Sequence, residues 1–194
     1  MQRLEILSPD TMTPEQLAAC EEVTNGPRGK VPLPMFAWLR NPELARRLQV
    51  LGELLRYQTT LSPRLTELAI LVGARHWTAH VQWKAHKTYA LRDGLCPQVI
   101  ADIAAQRVPQ FRDDDEGQAV YEFSSSLLKT GRVPDELYER AVGKIGERGV
   151  VELVALLGFY CVASFTLNSF QMGLPESAVP ELQDPDYPEA QAAL

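Results

Sequence analysis

The segment from Gly149 to Phe170 is apolar nearly all round at helical spacing. A helix of that kind has no face to give to water, so other elements must wrap it. The run therefore predicts a buried central helix inside an all-α domain. No uninterrupted apolar run reaches the ~20 residues that a bilayer crossing needs, so burial within protein is the expected use. The chain is long enough to supply the cover: its 194 residues are 45% hydrophobic, which suits one packed domain with an appended tail.

Helix punctuation recurs along the chain. Thr13-Pro14-Glu15 supplies a cap and a first-turn proline, and Asn25-Gly26 ends that helix. A proline-broken loop runs from Pro27 to Pro34 before the short apolar piece Met35 to Leu39. Asn41-Pro42-Glu43 opens a second long helix, where Leu44, Leu48, Leu51, Leu54 and Leu55 keep three-to-four spacing. Ser62-Pro63 opens a third, with Leu65, Leu68, Ile70, Leu71 and Val72. Thr78 reads as the cap of a fourth, from Ala79 to Asp93, stopped by Gly94. Pro97 starts a fifth. The acidic run Asp113 to Glu116 precedes a helix from Ala119 to Leu128, where negative charge suits the N-terminus. Pro134-Asp135-Glu136 opens a short helix before the apolar one. From Gly173 prolines recur, and the tail is expected to be irregular. No stretch shows strand alternation. A five-residue echo, Glu67 to Leu71 against Glu152 to Leu156, suits either a duplicated helical unit or chance.

The net charge of −6 and a pI of about 5.1 argue against nucleic acid, which needs a basic face, and against a polybasic membrane anchor. The N-terminus lacks the basic-then-apolar layout of a secretory signal, so the cytoplasm is the expected location. Cys20, Cys96 and Cys161 are scattered, which reads as three packed thiols rather than a disulfide framework or a cysteine zinc site.

All three histidines, His76, His80 and His86, fall within eleven positions, together with Trp77 and Trp83. Histidine titrates near neutrality and is the usual proton carrier at pH 7. Glu67, nineteen residues before His86, lies in an apolar run beside Ile70, Leu71 and Ala74. A buried carboxylate needs a partner or it takes up a proton, so a Glu67–His86 pair would hold or relay one. At ~100° per residue, Ala79, Gln82, Trp83, His86 and Ala90 share a helix face. Blander readings stand beside these. His86 also reads as a core histidine, His76 as a loop residue, and His80 equally as a pocket-mouth or a surface residue. Arg75, Lys84 and Lys87 read as an attraction for an anion or as a solvated face. A metal held by His76, His80 and Glu67 requires one unbroken helix through both histidines, and Thr78 argues for a break.

The motif Glu67-Leu68-Ala69-Ile70-Leu71, then Trp83-x-x-His86, then Ala90 and Gly94-Leu95, resembles the carboxymuconolactone decarboxylase family, which includes the alkylhydroperoxidase D proteins. Asn41-Pro42-Glu43-Leu44 upstream and Gly146 to Leu153 downstream extend the likeness over roughly residues 30 to 175. It implies an alkylhydroperoxidase D-like helical bundle that self-associates as a dimer, trimer or hexamer, with sites near subunit contacts. Three parts follow: an N-terminal helix and loop (1–29), the helical domain (30–175) and a proline-rich tail (176–194), read either as a subunit strap or as a loose end.

In the peroxidase branch the resemblance puts two cysteines between the glutamate and the histidine. Here those positions are Ala79 and Gln82, and neither supplies the thiolate that a thiol peroxidase needs. The decarboxylase branch keeps the histidine without the cysteines and fits better. Many relatives carry glutamate where Gln82 stands. The expectation is a cofactor-free lyase or isomerase of aromatic-compound catabolism, acting on a small carboxylated lactone or related enolisable acid. His86 would transfer the proton, Glu67 would orient it and exchange protons, and His80 would assist or bind the anionic end. Trp83, Gln82, Arg75 and His76 would bind the substrate. No cofactor or metal is expected. The other readings are a peroxidase-related protein of the same superfamily and a small-molecule binding protein that kept the fold and lost the chemistry.

Overall fold

The computed structural model describes residues 2–173 and 179–184. After a short 3-10 turn at Pro9–Thr11, the helices are α1 (Pro14–Thr24), α2 (Met35–Trp38), α3 (Pro42–Tyr57), α4 (Pro63–His76), α5 (His80–Arg92), α6 (Pro97–Ala104), α7 (Asp115–Thr130) and α8 (Asp135–Ser169), with no strand among the described residues. The fold is all-α, as expected. Proline opens α1, α3, α4 and α6 at the first turn, where its missing N–H costs no hydrogen bond. Thr13, Asn41, Ser62 and Asp114 accept from backbone N–H groups at their helix starts.

The helix at the centre is α4 rather than the segment expected from the apolar run. Every residue of α4 from Leu65 to Arg75 is buried, and α3, α5, α6, α7 and α8 pack around it. In α8, Leu153, Leu156, Leu157, Tyr160, Ala163 and Leu167 face the core, while Val151, Val154, Val162 and Phe165 stay exposed at three-to-four spacing. An 18-residue window of α8 is long and apolar enough to cross a membrane, contrary to the reading from uninterrupted run length, and 56% of that window is buried within the fold. The all-round apolar pattern thus records one face on the core and a second apolar face left uncovered.

Two local differences follow from backbone geometry. Thr78 does not cap α5. Its φ is +46°, an uncommon setting for a β-branched residue, and its hydroxyl accepts from Arg75 Nη1 at 2.9 Å. Ala79 is the N-cap instead. The connection is held by Ala79 N–H donating to Ala74 O at 2.8 Å and by Asn168 Nδ2 donating to Trp77 O at 2.7 Å. The second difference is that the two helices expected after Pro134 run together, broken only at Gly146 (φ +72°, ψ 165°).

The expected irregular arm lies outside the described residues at 174–178 and 185–194. At 179–184 the chain has no regular secondary structure. This piece lies on its own domain: Leu182 is buried, Glu181 pairs with Lys87, and Gln183 O accepts from Arg75 Nη2.

The Gly146 backbone occupies a region open essentially to glycine alone. Gly146→Ala is expected to lower unfolding stability by about 1–3 kcal/mol. Urea unfolding of the two proteins checks this, and an unchanged midpoint would refute the assignment.

Candidate functional site

Glu67 lies in the second turn of α4, and His86 lies midway along α5. The tight turn at Trp77–Ala79 lays the two helices side by side and brings these side chains together. His86 Nδ1 is 2.6 Å from Glu67 Oε2. The second carboxylate oxygen, Oε1, accepts from Arg56 Nη2 at 3.1 Å. Glu67 is 2% exposed and His86 8%. A carboxylate so deep requires compensation, and the Arg56 guanidinium supplies the counter-charge. That guanidinium also lies over the Tyr89 ring, 4.3 Å from its centroid.

Burial pushes the His86 imidazole below its ordinary value. The Glu67 charge and hydrogen bond oppose this, and the positive charges of Arg56 and Arg28 reinforce it. The net direction is down, so the ring is neutral at pH 7. With the Arg56 guanidinium on its other oxygen, the Glu67 carboxyl group is set to accept from the ring, which places the ring proton on Nδ1 and leaves a lone pair on Nε2. The Tyr160 ring stands edge-on to His86 at 5.0 Å and the Tyr89 ring at 5.8 Å. Burial raises the Tyr160 phenol well above its ordinary range, so it stays protonated. The result is an oriented base, with half-buried Arg56 on its carboxylate, half-buried Tyr89 beside the ring, and half-buried Arg28 acting on it by charge.

Gln82, one turn before His86 on α5, is buried. Its Oε1 accepts from Ser164 Oγ at 3.2 Å, which fixes the amide, while its Nε2 has no hydrogen-bond partner. Residues four apart on a helix are neighbours, so an unused donor lies beside the base. The remaining expected residues lie elsewhere. Trp83 turns toward α6, where Nε1 donates to Glu181 Oε2 at 3.4 Å, and it lines a cavity of about 650 Å³ with Lys87, Ile100 and Arg107. Arg75 spends its guanidinium on Ala104 O, Thr78 Oγ1 and Gln183 O, about 12 Å along α4 from Glu67. His76 is exposed and lines a second cavity, of about 220 Å³, with Tyr121 and Lys129. Neither cavity is lined by Glu67 or His86. His80 is half-buried at the first position of α5, and six residues of helix turn it well away from the face of His86. The convergence of His76, His80 and Glu67 weighed for a metal does not occur: among the described residues no three His, Cys, Asp or Glu side chains are grouped to hold an ion.

Arg28 and Arg56 were not among the expected site residues. Arg56 follows the leucines of α3 and looks like a surface helix-end cation in one dimension. Its signal is positional: Gly52, four residues earlier, marks a place on the same face where another group comes close. Arg28 lies in an irregular loop, where periodicity carries no information.

No protein-family model matches the chain, and no curated protein matches it. Among solved structures it is similar to a protein of unknown function from Agrobacterium tumefaciens, proposed as an antioxidant defence protein, AhpD. The two share 16% identity at a TM-score of 0.62, over 70% of this chain and 93% of that one. The fold is therefore alkylhydroperoxidase D-like.

Replacing Glu67 removes the interaction that raises the His86 value, while Arg56 and burial remain. In an NMR titration of the ring protons, His86 should titrate below the ordinary histidine value of about 6.5 in the wild type, and lower still in Glu67→Gln. An upward shift in the variant would contradict this electrostatic assignment.

Proposed function

We propose that the protein is a cofactor-free proton-transfer catalyst, a lyase or isomerase acting on a small carboxylated lactone or related enolisable acid in aromatic-compound catabolism. The observation that carries this reading is the 2.6 Å His86–Glu67 contact with Arg56 on the far carboxylate oxygen. A neutral imidazole oriented by a carboxylate is a general base, and the imidazolium formed after proton uptake is stabilised by the same carboxylate. In an isomerisation, Nε2 takes a proton from carbon beside a carbonyl. The C–H electron pair moves to the carbonyl oxygen as an enolate, and the imidazolium returns the proton at the conjugated carbon. In a decarboxylation, the C–C bond to the departing carbon dioxide breaks and its electron pair enters the conjugated carbonyl. Nε2 takes a proton from solvent and delivers it to the dienolate. The substrate's own carbonyl accepts the electrons, so neither route needs a cofactor. The Gln82 amide is suited to donate to the enolate oxygen.

The name of the Agrobacterium protein favours a second reading, peroxide reduction. The residues present do not favour it. Ala79 and Gln82 occupy the positions where a thiol pair would stand, and burial raises the thiols of Cys20 and Cys161, which disfavours the reactive thiolate. The uncovered apolar stripe on α8, with exposed Leu51, Leu54 and Tyr57 on α3, fits self-association through these faces, a partnership in keeping with the expected homo-oligomer.

Ultraviolet-monitored turnover of carboxymuconolactone and related lactone acids tests the main reading. His86→Ala is expected to lower turnover by about 10²–10⁴-fold with its helical circular dichroism unchanged. Full activity in that variant would remove His86 from the chemistry. Alkylation of all three cysteines separates the readings: lactone turnover should survive it, whereas thiol-dependent hydroperoxide reduction by the untreated protein, lost on alkylation, would establish the second.

A further inference from the structure

Gly52 lies one turn before Arg56 on α3, and the space beside it is filled. A Cβ at this position would stand 2.5 Å from Phe159 Cζ and 2.8 Å from Arg28 Nη2, distances that no side chain tolerates. The guanidinium of Arg28 thus rests directly against the backbone of α3, next to Phe159. Arg56, four residues on, projects from the same side of the helix. Arg28 of the Pro27–Pro34 loop and Arg56 of the last turns of α3 thus lie on one side of α3, and the charges of both act on His86.

Their charges are unequally matched. Arg56 is engaged by one oxygen of Glu67. Arg28 makes no ion pair among the described residues, and its Nε is buried without a hydrogen-bond partner. With His86 neutral, Arg56 is matched by Glu67, whereas the charge of Arg28 is taken up by no ion pair among the described residues; the Glu53 carboxylate lies near the same loop, beside Gly26. The positive charge of Arg28 reaches both His86 and Tyr160, so it stands within electrostatic range of the reacting position. Aromatic rings at Tyr89 and Phe159 flank the pair, limiting its hydration and strengthening attraction to an anion.

We propose that Arg28, seated on Gly52 and supported by Arg56, is an anion-binding subsite that takes a substrate carboxylate. Guanidinium binds carboxylate through charge-assisted N–H···O bonds, and Arg28 is half-exposed and makes no ion pair among the described residues. This assignment rests on the proton-transfer reading for what happens next, though not for the binding itself. A carboxylate held by guanidinium is stabilised as the anion, which opposes loss of its carbon as neutral carbon dioxide. The group bound here is consequently one that persists through the reaction. A decarboxylated substrate would carry a second acid group, and an isomerised substrate would carry at least one. Arg75, whose three nitrogens are already bonded to protein acceptors, is replaced in this role by Arg28.

Isothermal titration with glutarate, and with dimethyl glutarate as its uncharged counterpart, tests the subsite without requiring turnover. Wild type should bind glutarate and not the diester. Arg28→Met, which keeps the apolar stem in a half-exposed loop, should weaken glutarate binding by about 10- to 100-fold with unchanged circular dichroism, and Arg28→Lys should recover part of the loss. His86→Gln should still bind glutarate, so failure of His86 in catalysis and failure of the subsite give different results. Equal glutarate binding by wild type and Arg28→Met, equal binding of acid and diester, or no glutarate binding by wild type would each overturn the proposal.

Discussion

The buried side chain of Glu67 is the constraint around which this molecule is arranged. It occupies the most buried helix of the fold, and a carboxylate in that position is unstable without partners. Two partners arrive from two other helices, His86 from α5 and Arg56 from α3, one on each oxygen. Their positions relative to α4 are thereby coupled: sliding either helix by a turn would leave a charge or an imidazole unmatched in the interior. The same contact that makes the buried acid tolerable selects the tautomer of His86 and aims its free lone pair. Structural necessity and chemical potential are in this case one interaction.

The burial of α4 explains why the other helices look as they do. Because α4 is covered on every side, α8 is relieved of being the centre and needs only one face for the core. Its second apolar face remains on the outside. Soluble monomers seldom leave such a stripe uncovered. The described piece of the C-terminal segment does not cover it. It lies instead against α5, where Glu181 meets Lys87 and Trp83, and against the end of α4, where Gln183 O accepts from Arg75.

The site is also electrostatically lopsided in a protein that is acidic as a whole. A net charge of −6 would repel an anion at long range, yet two of the three charges that act on His86, those of Arg56 and Arg28, are positive. Salt screens charges beyond roughly 8 Å, so the distant acidic surface acts less on His86 than the guanidiniums of Arg28 and Arg56 do.

Much of the fold was legible because its signals are local. Caps such as Thr13, Asn41 and Ser62 satisfy their own helix starts, and first-turn prolines act through their own φ angles, so helix starts can be read residue by residue. The Glu67–His86 pair was legible as well, since an acid among apolar residues and a clustered histidine each demand a partner. Three things were not. The choice of α4 over α8 as the centre depends on which apolar surfaces find cover, a property of the whole packing. The departure at Thr78 depends on the geometry of the α4–α5 turn and on Arg75 reaching its hydroxyl. The assembly of Arg28 beside Arg56 depends on a loop crossing α3 where Gly52 leaves room. By itself the sequence determined the helices, their polarity and the need for a partner to the buried Glu67, because these follow from spacing and desolvation. Tertiary structure alone decided which cations surround that pair, because charges distant in sequence meet only when loops and helices are packed.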